Sequence, residues 1–344
     1  MQRSTPIILT ALVVAGVNLG AQAPPAPAPP PCVASAGEVQ FVCGQSAPED
    51  LVVVPGGQWV VAGSFSGTGG INLIRVSDRT TVRGYPAAST KEALDAKTYK
   101  ACPGAPEKTK FTTHGLSLRE ARNGLHTLYV VGHGARESIE VFTLDTRSQT
   151  PTLTWIGCAV APDPIGLNSV RWLDDGGFIA TNFNPRGAGA GFGGLQKGER
   201  NGELWEWHTA SGWQKVPGSE SSGANGIEIS PDGRTLYVAA WGSQSFFRLS
   251  RGEKEPKRDE IQLGFRVDNV RWASDGSLLA SGQAGQGAQS ETVVVRIDPK
   301  TMKSGEVLRK AAIPGFSAGT VAVEVGKSLW VGSFTGDRIA IYPR

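Results

Sequence analysis

The sequence has few of the residues that carry redox and soft-metal chemistry. Its 344 residues include four cysteines, four histidines and two methionines. No CxxC pair and no cluster of cysteine with histidine occurs, which argues against a zinc site and against thiol redox chemistry. The chain also carries little net positive charge: its net charge is +3, and its lysines and arginines are mixed with acidic residues along the sequence. We therefore expect no nucleic-acid partner.

Long apolar segments are missing as well, apart from one near the N-terminus. Arg3 precedes an apolar run at 6–17, and the small residues Ala21 and Ala23 follow it. This order is typical of a secretory signal peptide, and the run is too short to span a bilayer comfortably. We predict a signal peptide at 1–23, cleaved after Ala21 or Ala23, and hence a periplasmic or extracellular protein without stable membrane insertion.

Two segments of different composition follow the predicted signal peptide. Residues 24–37 contain the run PPAPAPPP, which lacks large apolar side chains and most backbone donors. It predicts a stiff, extended linker. From residue 38 to the end, an unbroken rhythm of hairpins predicts one large all-β domain at 38–344.

Export would make the four cysteines candidates for disulfides. Four cysteines allow three pairings, of which we favour Cys32 with Cys43 and Cys102 with Cys158. The first pairing would hold the tail close to a strand near residues 38–42. That strand would then pair with the last strand of the chain and leave no exposed sheet edge.

One short sequence motif, called the repeat phrase below, recurs six times along the predicted domain. Its clearest copy is NGIEISPDGRTLYVA: a polar pair, an alternating apolar strand, a Pro-Asp-Gly turn and a second apolar strand. This pattern predicts a hairpin. The copies begin at Glu49, His114, Asn168, Asn225, Asp268 and Gly319. Their spacing fits four-stranded blades, so we predict a six-bladed β-propeller whose central tunnel binds a metal ion.

Closing the six blades into a ring should bring the first residue of each repeat, which occupies the same phase in every blade, close to one central axis. Four polar residues at that phase and the adjacent Asn269 carry carboxylate or amide oxygens: Glu49, Asn168, Asn225, Asp268 and Asn269. Calcium prefers six to eight oxygen ligands of this kind. Two carboxylates would neutralise the ion, which would stay a useful Lewis acid. Taken singly, each residue is more simply explained by local hydrogen bonding at a strand or turn, and the shared phase is what favours a calcium site.

Two histidines fall at the same end of the second repeat. His114 heads its phrase and His133 ends the following strand, so a hairpin would bring them together. One imidazole can withdraw a proton from water while the other orients it, which predicts a catalytic dyad. The alternative is a hydrogen-bonded structural pair. His126 and His208 fall at a turn and on an outer strand, where we expect exposure and assign no role.

A glycine-rich segment lies at 184–202, after the third hairpin. Its GxGxxG-like matches lack a βαβ context, which argues against a dinucleotide site. It is either a plain surface loop or a mobile loop over the site, with Phe192 and Leu195 in reach of an apolar substrate.

Several motifs in order resemble the paraoxonase and arylesterase family, which is related to the gluconolactonase-like superfamily. They are PEDLVVVPGG at 48–57, HGLS at 114–117, SIEVFTLD at 138–145, ATN at 180–182, ANGIEISPDG at 224–233 and VDNV at 267–270. The resemblance implies a catalytic calcium at Glu49, Asn168, Asn225, Asp268 and Asn269, and a histidine dyad at His114 and His133. It also implies hydrolysis of lactones, with aryl esters and organophosphates as further substrates.

Two departures from the family pattern concern stability. The family's second, structural calcium uses an aspartate where this chain has Ser169, and only Asp50 matches, so we expect this ion to be absent or weakly bound. The family's disulfide between the chain ends is also missing, since no cysteine lies beyond Cys158.

The sequence thus predicts a secreted, calcium-dependent hydrolase of small lactones or aryl esters. Calcium would stabilise the oxyanion while the dyad activates water. One alternative is a sugar lactonase of the gluconolactonase type that needs no dyad. Another is a propeller without enzymatic activity that binds a protein.

Overall fold

The repeated hairpins form six antiparallel sheets, one after another along the chain. The computed structural model describes residues 31–67, 69–187, 192–285 and 287–344. Each sheet is built from strands in which Val, Ile, Leu and aromatic residues face the neighbouring sheets. The predicted all-β six-bladed propeller is confirmed.

The strands follow the hairpin repeats closely. Two short strands come first, β1 (Ser35–Ala36) and β2 (Val39–Cys43). Blade 1 contains β3 (Leu51–Val53), β4 (Trp59–Gly63), β5 (Ile71–Arg75) and β6 (Thr81–Tyr85). Blade 2 contains β7 (Lys91–Glu92), β8 (Thr112–Arg119), β9 (Leu125–His133), β10 (Ser138–Asp145) and β11 (Thr152–Val160). Blade 3 contains β12 (Leu167–Trp172), β13 (Phe178–Asn182), β14 (Glu203–His208) and β15 (Gly212–Lys215).

The second half of the chain continues the series. Blade 4 contains β16 (Ala224–Ile229), β17 (Thr235–Ala240), β18 (Ser245–Ser250) and β19 (Arg258–Gln262). Blade 5 contains β20 (Arg266–Trp272), β21 (Leu278–Ala284), β22 (Glu291–Ile297) and β23 (Ser304–Lys310). Blade 6 contains β24 (Gly319–Val325), β25 (Ser328–Ser333) and β26 (Arg338–Pro343). A short helix α1 (Phe192–Gln196) and a 3-10 turn (Gly287–Gln289) complete the regular structure of the described ranges.

The ring closes in blade 6, where the first strands meet the last. Strand β2 pairs antiparallel with β26, with Cys43 opposite Arg338, and β1 extends the same sheet outwards. This closure was predicted, although strand pairing begins at Ser35 rather than at residue 38. The disulfides join Cys32 to Cys43 and Cys102 to Cys158, which confirms the favoured pairing.

The N-terminal predictions fall largely outside the described residues. The predicted signal peptide at 1–23 and the first half of the predicted linker at 24–37 belong to this part of the chain. Two disulfides are consistent with an oxidising environment such as the one outside the cytoplasm. Within residues 31–344, as far as the structure describes them, no helix has the length and apolar character to cross a bilayer.

Apolar side chains fill the spaces between neighbouring blades. Between blades 6 and 1, for example, Leu51, Val60, Val321 and Ile339 are fully buried against one another. The phrase that forms each hairpin thus also supplies the packing surface for the next blade, because its alternate residues face opposite sides of the sheet. This packing fixes the six innermost strands around the axis.

Five innermost strands carry a β-bulge at the same place. The register of β8, β12, β16 and β20 shifts across the first two positions of the repeat phrase, and that of β24 shifts across the second and third. A bulge leaves residues out of the ladder and turns their side chains in new directions. The bulged positions include His114, Asn168, Asn225, Asp268 and Asn269. These bulges therefore redirect five of the residues predicted to form the site, whereas Glu49 and His133 lie outside them.

Glycine allows neighbouring bulges to touch. A Cβ at Gly115 would lie 2.5 Å from Ser169 Cα, and a Cβ at Gly226 would lie 2.6 Å from Asn269 Cα. Neither distance leaves room for a side chain. The glycine after His114 and the glycine after Asn225 thus let adjacent blades approach closely at the level of the predicted site.

Candidate metal and catalytic site

Most of the predicted site residues line one cavity of about 350 Å³. The predicted residues in its wall are Glu49, His114, His133, Asn168, Asn225 and Asp268. Asn269 lies directly behind it, where its Nδ2 donates to Glu49 Oε1 at 2.7 Å. A larger groove of about 610 Å³ lies among hairpin turns of blades 3 to 5, and none of the predicted site residues lines it. The repeat phase therefore brings residues from five blades into one place.

Four of the predicted ligands hold an oxygen without a hydrogen-bond partner. The atoms are Glu49 Oε2, Asn168 Oδ1, Asn225 Oδ1 and Asn269 Oδ1, each buried among the described residues. A buried polar atom without a partner costs free energy. A hard divalent cation that binds oxygen would remove this cost. The residues present thus fit calcium.

Amide side chains dominate this set of oxygens. In the described part of the chain, no group of three or more His, Cys, Asp and Glu side chains is arranged to hold a metal ion. Only Glu49 and Asp268 contribute carboxylates, and the three asparagines contribute neutral oxygens. Such a mixture suits calcium better than zinc or copper, which prefer nitrogen and sulfur.

The asparagine amides are oriented by the donors on their other side. Asn269 Nδ2 donates to Glu49, and Asn168 Nδ2 lies 3.3 Å from His114 Nε2. Because each NH₂ group faces a neighbour, each amide oxygen is left for another partner. A cation is the partner that would use these oxygens.

A glutamine that the sequence analysis missed supports Asp268. Gln283 Nε2 donates to Asp268 Oδ2 at 2.5 Å and to Gly319 O at 3.1 Å. Its Oε1 accepts from Trp241 Nε1 at 3.1 Å. Gln283 lies on the second strand of blade 5, outside the repeated phase, so no sequence signal marked it.

Burial makes the two carboxylates of the site resist ionisation. It raises the pKa of Glu49 well above its usual range, and the charges of Asp268 and Asp50 raise this pKa further. Burial also raises the pKa of Asp268 to about 7, although hydrogen bonds from Gln283 and Asn225 oppose the change. Two carboxylates in one buried site repel each other unless a proton or a cation lies between them.

Asp50, the predicted weak second calcium site, has a cationic partner in this chain. Its fully buried carboxylate forms an ion pair with Arg271 and accepts from Leu116 N at 2.6 Å and Leu51 N at 2.8 Å. Arg271 also donates to the carbonyls of Leu116 and Val270 at 3.1 and 2.8 Å. Burial raises the pKa of Asp50 while Arg271 lowers it. The guanidinium thus supplies positive charge where the second ion was predicted, and links strands of blades 1, 2 and 5.

The two predicted dyad histidines lie side by side. His114 Nδ1 is 3.1 Å from His133 Nε2, and the ring of Phe65 packs 4.4 Å from the ring of His114. Burial lowers the pKa of His114 well below its usual value, and the neighbouring His133 lowers it further. His114 is therefore neutral at pH 7 and can accept a proton.

The other two histidines lie outside the cavity. His126 is buried, contrary to the expected exposure, because its ring bonds to Ala121 N and Thr146 Oγ1. His208 is half-buried beside Glu206 on an outer strand.

Aromatic side chains form much of the remaining wall, which also includes Glu137, Asn184 and Arg186. Phe183, Phe192 and Trp241 line the cavity, with ring centroids 5.7 to 6.0 Å apart. Phe65 and Phe334 line it as well. Of the two residues expected above the site, Phe192 lies in this wall, whereas Leu195 is fully buried. The cavity thus has a polar side and an apolar side.

The fold and these residues define a six-bladed β-propeller with a cavity that is polar on one side and aromatic on the other. Comparison with models of protein families gave no match, and no curated protein matched significantly. The chain does resemble solved propellers. A luciferin-regenerating enzyme is 12% identical with a TM-score of 0.55, covering 88% of this chain and 94% of its own.

Two further solved structures come from bacteria. The calcium-binding protein regucalcin of Agrobacterium tumefaciens is 13% identical with a TM-score of 0.52, covering 88% of this chain and 93% of its own. The periplasmic gluconolactonase of Pseudomonas aeruginosa is 14% identical with a TM-score of 0.51, covering 86% and 81%. At these identities the likeness shows the fold alone, so the resemblance to paraoxonases stays a prediction.

Proposed function

We propose that this protein is a calcium-dependent hydrolase that opens lactones or cleaves aryl esters in the 350 Å³ cavity. One observation carries the proposal: four buried oxygens without partners lie beside an imidazole that is neutral at pH 7. His114 Nε2 is 3.7 Å from Glu49 Oε1, so the proton acceptor and the cation ligands share one small space. Such proximity is what an attack by water on a bound carbonyl requires.

The cation fits the predicted ligands Glu49, Asn168, Asn225, Asp268 and Asn269. When bound, it would supply Lewis acidity to the substrate carbonyl. The side chains around it would hold the substrate and exclude bulk water. Since Arg271 already balances Asp50, the proposal needs only one ion.

The proton transfers fall to the histidine pair. His114 Nε2 takes a proton from water as the water oxygen attacks the carbonyl carbon. The bond between that carbon and the ring oxygen then breaks, and the proton passes to the leaving oxygen. The product of a lactone is a hydroxy acid. His133 holds the His114 ring through the 3.1 Å contact during both transfers.

The aromatic side of the cavity influences which class of substrate the protein can bind. Phe183, Phe192 and Trp241 offer ring faces and edges rather than hydrogen-bond partners for hydroxyl groups. This favours lactones with an aliphatic substituent, or aryl esters, over polyhydroxylated sugar lactones. A sugar lactonase remains the second candidate, because the oxygen ligands alone would serve it and the histidine pair would be dispensable.

The test is a panel of an aliphatic lactone, phenyl acetate and gluconolactone, assayed with calcium and with chelator. His114→Gln is expected to lower kcat by about 100-fold or more while calcium affinity stays within a few-fold. His126→Gln is the matched control, because this buried histidine lies outside the cavity. It should leave kcat unchanged.

Each alternative gives a different result. Full activity in chelator would end the metal hypothesis. Gluconolactone turnover that survives the double variant His114→Gln with His133→Gln would support the sugar lactonase. Stabilisation by calcium without hydrolysis of any panel member would support a binding scaffold.

A further inference from the structure

Glu137 contacts the histidine pair but has no part in the function proposed above. It lies four residues after His133, in the connection between β9 and β10, and is only 8% exposed. Its Oε2 is 2.9 Å from His133 Nδ1. Its Oε1 accepts from Leu167 N at 2.6 Å, directly before the predicted ligand Asn168. One carboxylate thus touches both the dyad and the strand that carries a ligand.

The chemistry of these groups gives the hydrogen bonds one direction. A carboxylate only accepts, so His133 donates to Glu137 from Nδ1. A neutral imidazole has one N–H, so His133 Nε2 must accept, and it accepts from His114 Nδ1 at 3.1 Å. His114 Nε2 is then unprotonated. Asn168 Nδ2 faces this nitrogen at 3.3 Å, as a donor should.

We infer that Glu137 is a positioning residue that sets the tautomers of both imidazoles and so directs the unprotonated Nε2 of His114 into the cavity. The inference rests on the proposed hydrolytic function for its catalytic consequence, but the tautomers themselves can be observed without any turnover. Which nitrogen carries the proton is set by the partner of the other nitrogen. In this protein the series of hydrogen bonds runs from His114 through His133 and ends at the carboxylate of Glu137.

Glu137→Gln tests this role with little change in shape. The Leu167 N–H and the His133 N–H both need an acceptor, and a glutamine side chain has only one oxygen. If that oxygen faces Leu167, the NH₂ group faces His133 Nδ1 and favours the opposite tautomer. The proton of His114 then moves to Nε2, and the acceptor in the cavity is lost.

The kinetic expectation is a selective loss of turnover. Replacing the acid of a catalytic triad by its amide gives the wrong tautomer and a large fall in kcat. We expect a fall of roughly 100-fold in Glu137→Gln with KM changed by less than about threefold. Calcium affinity should not change, because no oxygen of the predicted ligand set is removed. An unchanged kcat in a folded variant would overturn the inference.

Nitrogen NMR of the imidazole rings gives the readout that a structural role would not move. The chain has only four histidines, so signals can be assigned from His114→Gln and His133→Gln. At mildly alkaline pH the wild type should carry its proton on Nδ1 of both rings, and Glu137→Gln should move both to Nε2. A wild-type spectrum with Nε2–H on either ring would overturn the inference even if the variant failed to fold.

Glu228→Gln is the matched control. Glu228 is also buried, at 5% exposure, but it pairs with Arg171 at 2.6 Å and contacts no histidine. Its replacement should lower the thermal stability without changing the tautomers or kcat. If the wild type hydrolysed none of the panel, the proposed function would fail, and the tautomers would still decide whether Glu137 positions the pair.

Discussion

Metal-free protein is expected to lose stability as the pH rises from about 4 to about 7, and calcium is expected to restore it. The cause is the buried carboxylate pair. The pKa of Asp268 is raised from the ordinary 3.8 to about 7, and that of Glu49 is raised well above its usual value. Between the two pKa values of each group, the folded state holds more protons than the unfolded state. Stability from this source is therefore complete at acidic pH and is lost as the pH passes through the folded pKa.

The structure gives the size of this effect. Each tenfold change in a protonation equilibrium is worth about 1.4 kcal/mol, so ionising Asp268 in the metal-free fold costs roughly 4 kcal/mol. Unfolding entropy is about 2.1 cal/mol/K per residue. For roughly 300 folded residues, the cost corresponds to a fall in Tm of about 6 °C. Bound calcium requires the ionised carboxylates and removes the repulsion between them, so its stabilising effect should grow with pH.

Thermal unfolding measured by circular dichroism, with calcium and with chelator, tests this at several pH values. Asp268→Asn is the matched variant, since its amide oxygen can still accept from Gln283. In chelator above about pH 7 the variant should be more stable than the wild type, because no charge is buried. The reasoning is refuted if both proteins show the same pH dependence in chelator, or if calcium raises Tm equally at acidic and alkaline pH.

Three further predictions concern other parts of the molecule. Arg271→Met should lower the free energy of unfolding in urea by about 3–5 kcal/mol, because it leaves Asp50 buried without its cation; adding Asp50→Asn should recover part of this loss, and no recovery would contradict the ion-pair explanation. Trp241→Ala should raise the KM for an aliphatic lactone about tenfold, which corresponds to a loss of about 1.4 kcal/mol in binding free energy. The KM for phenyl acetate should rise by a similar factor, and an unchanged KM would exclude the aromatic wall from substrate binding. Replacing Cys32 and Cys43 together by serine should lower the free energy of unfolding by at most about 3 kcal/mol, and a change in calcium affinity would show that ring closure and the site are coupled.

The sequence predicted the architecture because the signal was repeated. Alternating apolar residues and a Pro-Asp-Gly turn are local properties of the chain, and six copies at blade spacing admit few folds. The same repetition placed Glu49, Asn225 and Asp268 at one phase. The structure brings these residues to one cavity, although the role assigned to them stays a proposal.

The supporting residues could not be predicted in this way. Glu137, Gln283 and Arg271 lie outside the ligand phase, and each acts through a partner that is distant in sequence or in a neighbouring strand. Nothing in the local pattern indicates that Arg271 pairs with Asp50, because the two are 221 residues apart and meet only after the ring has closed. His126 was wrongly expected to be exposed, since its partner Thr146 reaches it from the next hairpin.

By itself, then, the sequence determined the number of blades, the strands within them and the residue types that face the axis, because side-chain alternation and turn chemistry operate over a few neighbouring residues. Only the tertiary structure decided which way those side chains point. The bulges shift the register where adjoining blades touch, and each amide turns its NH₂ group to a neighbour from another blade. Those orientations depend on contacts between residues far apart in the chain, and they leave the four oxygens and one imidazole nitrogen on which the proposed site rests.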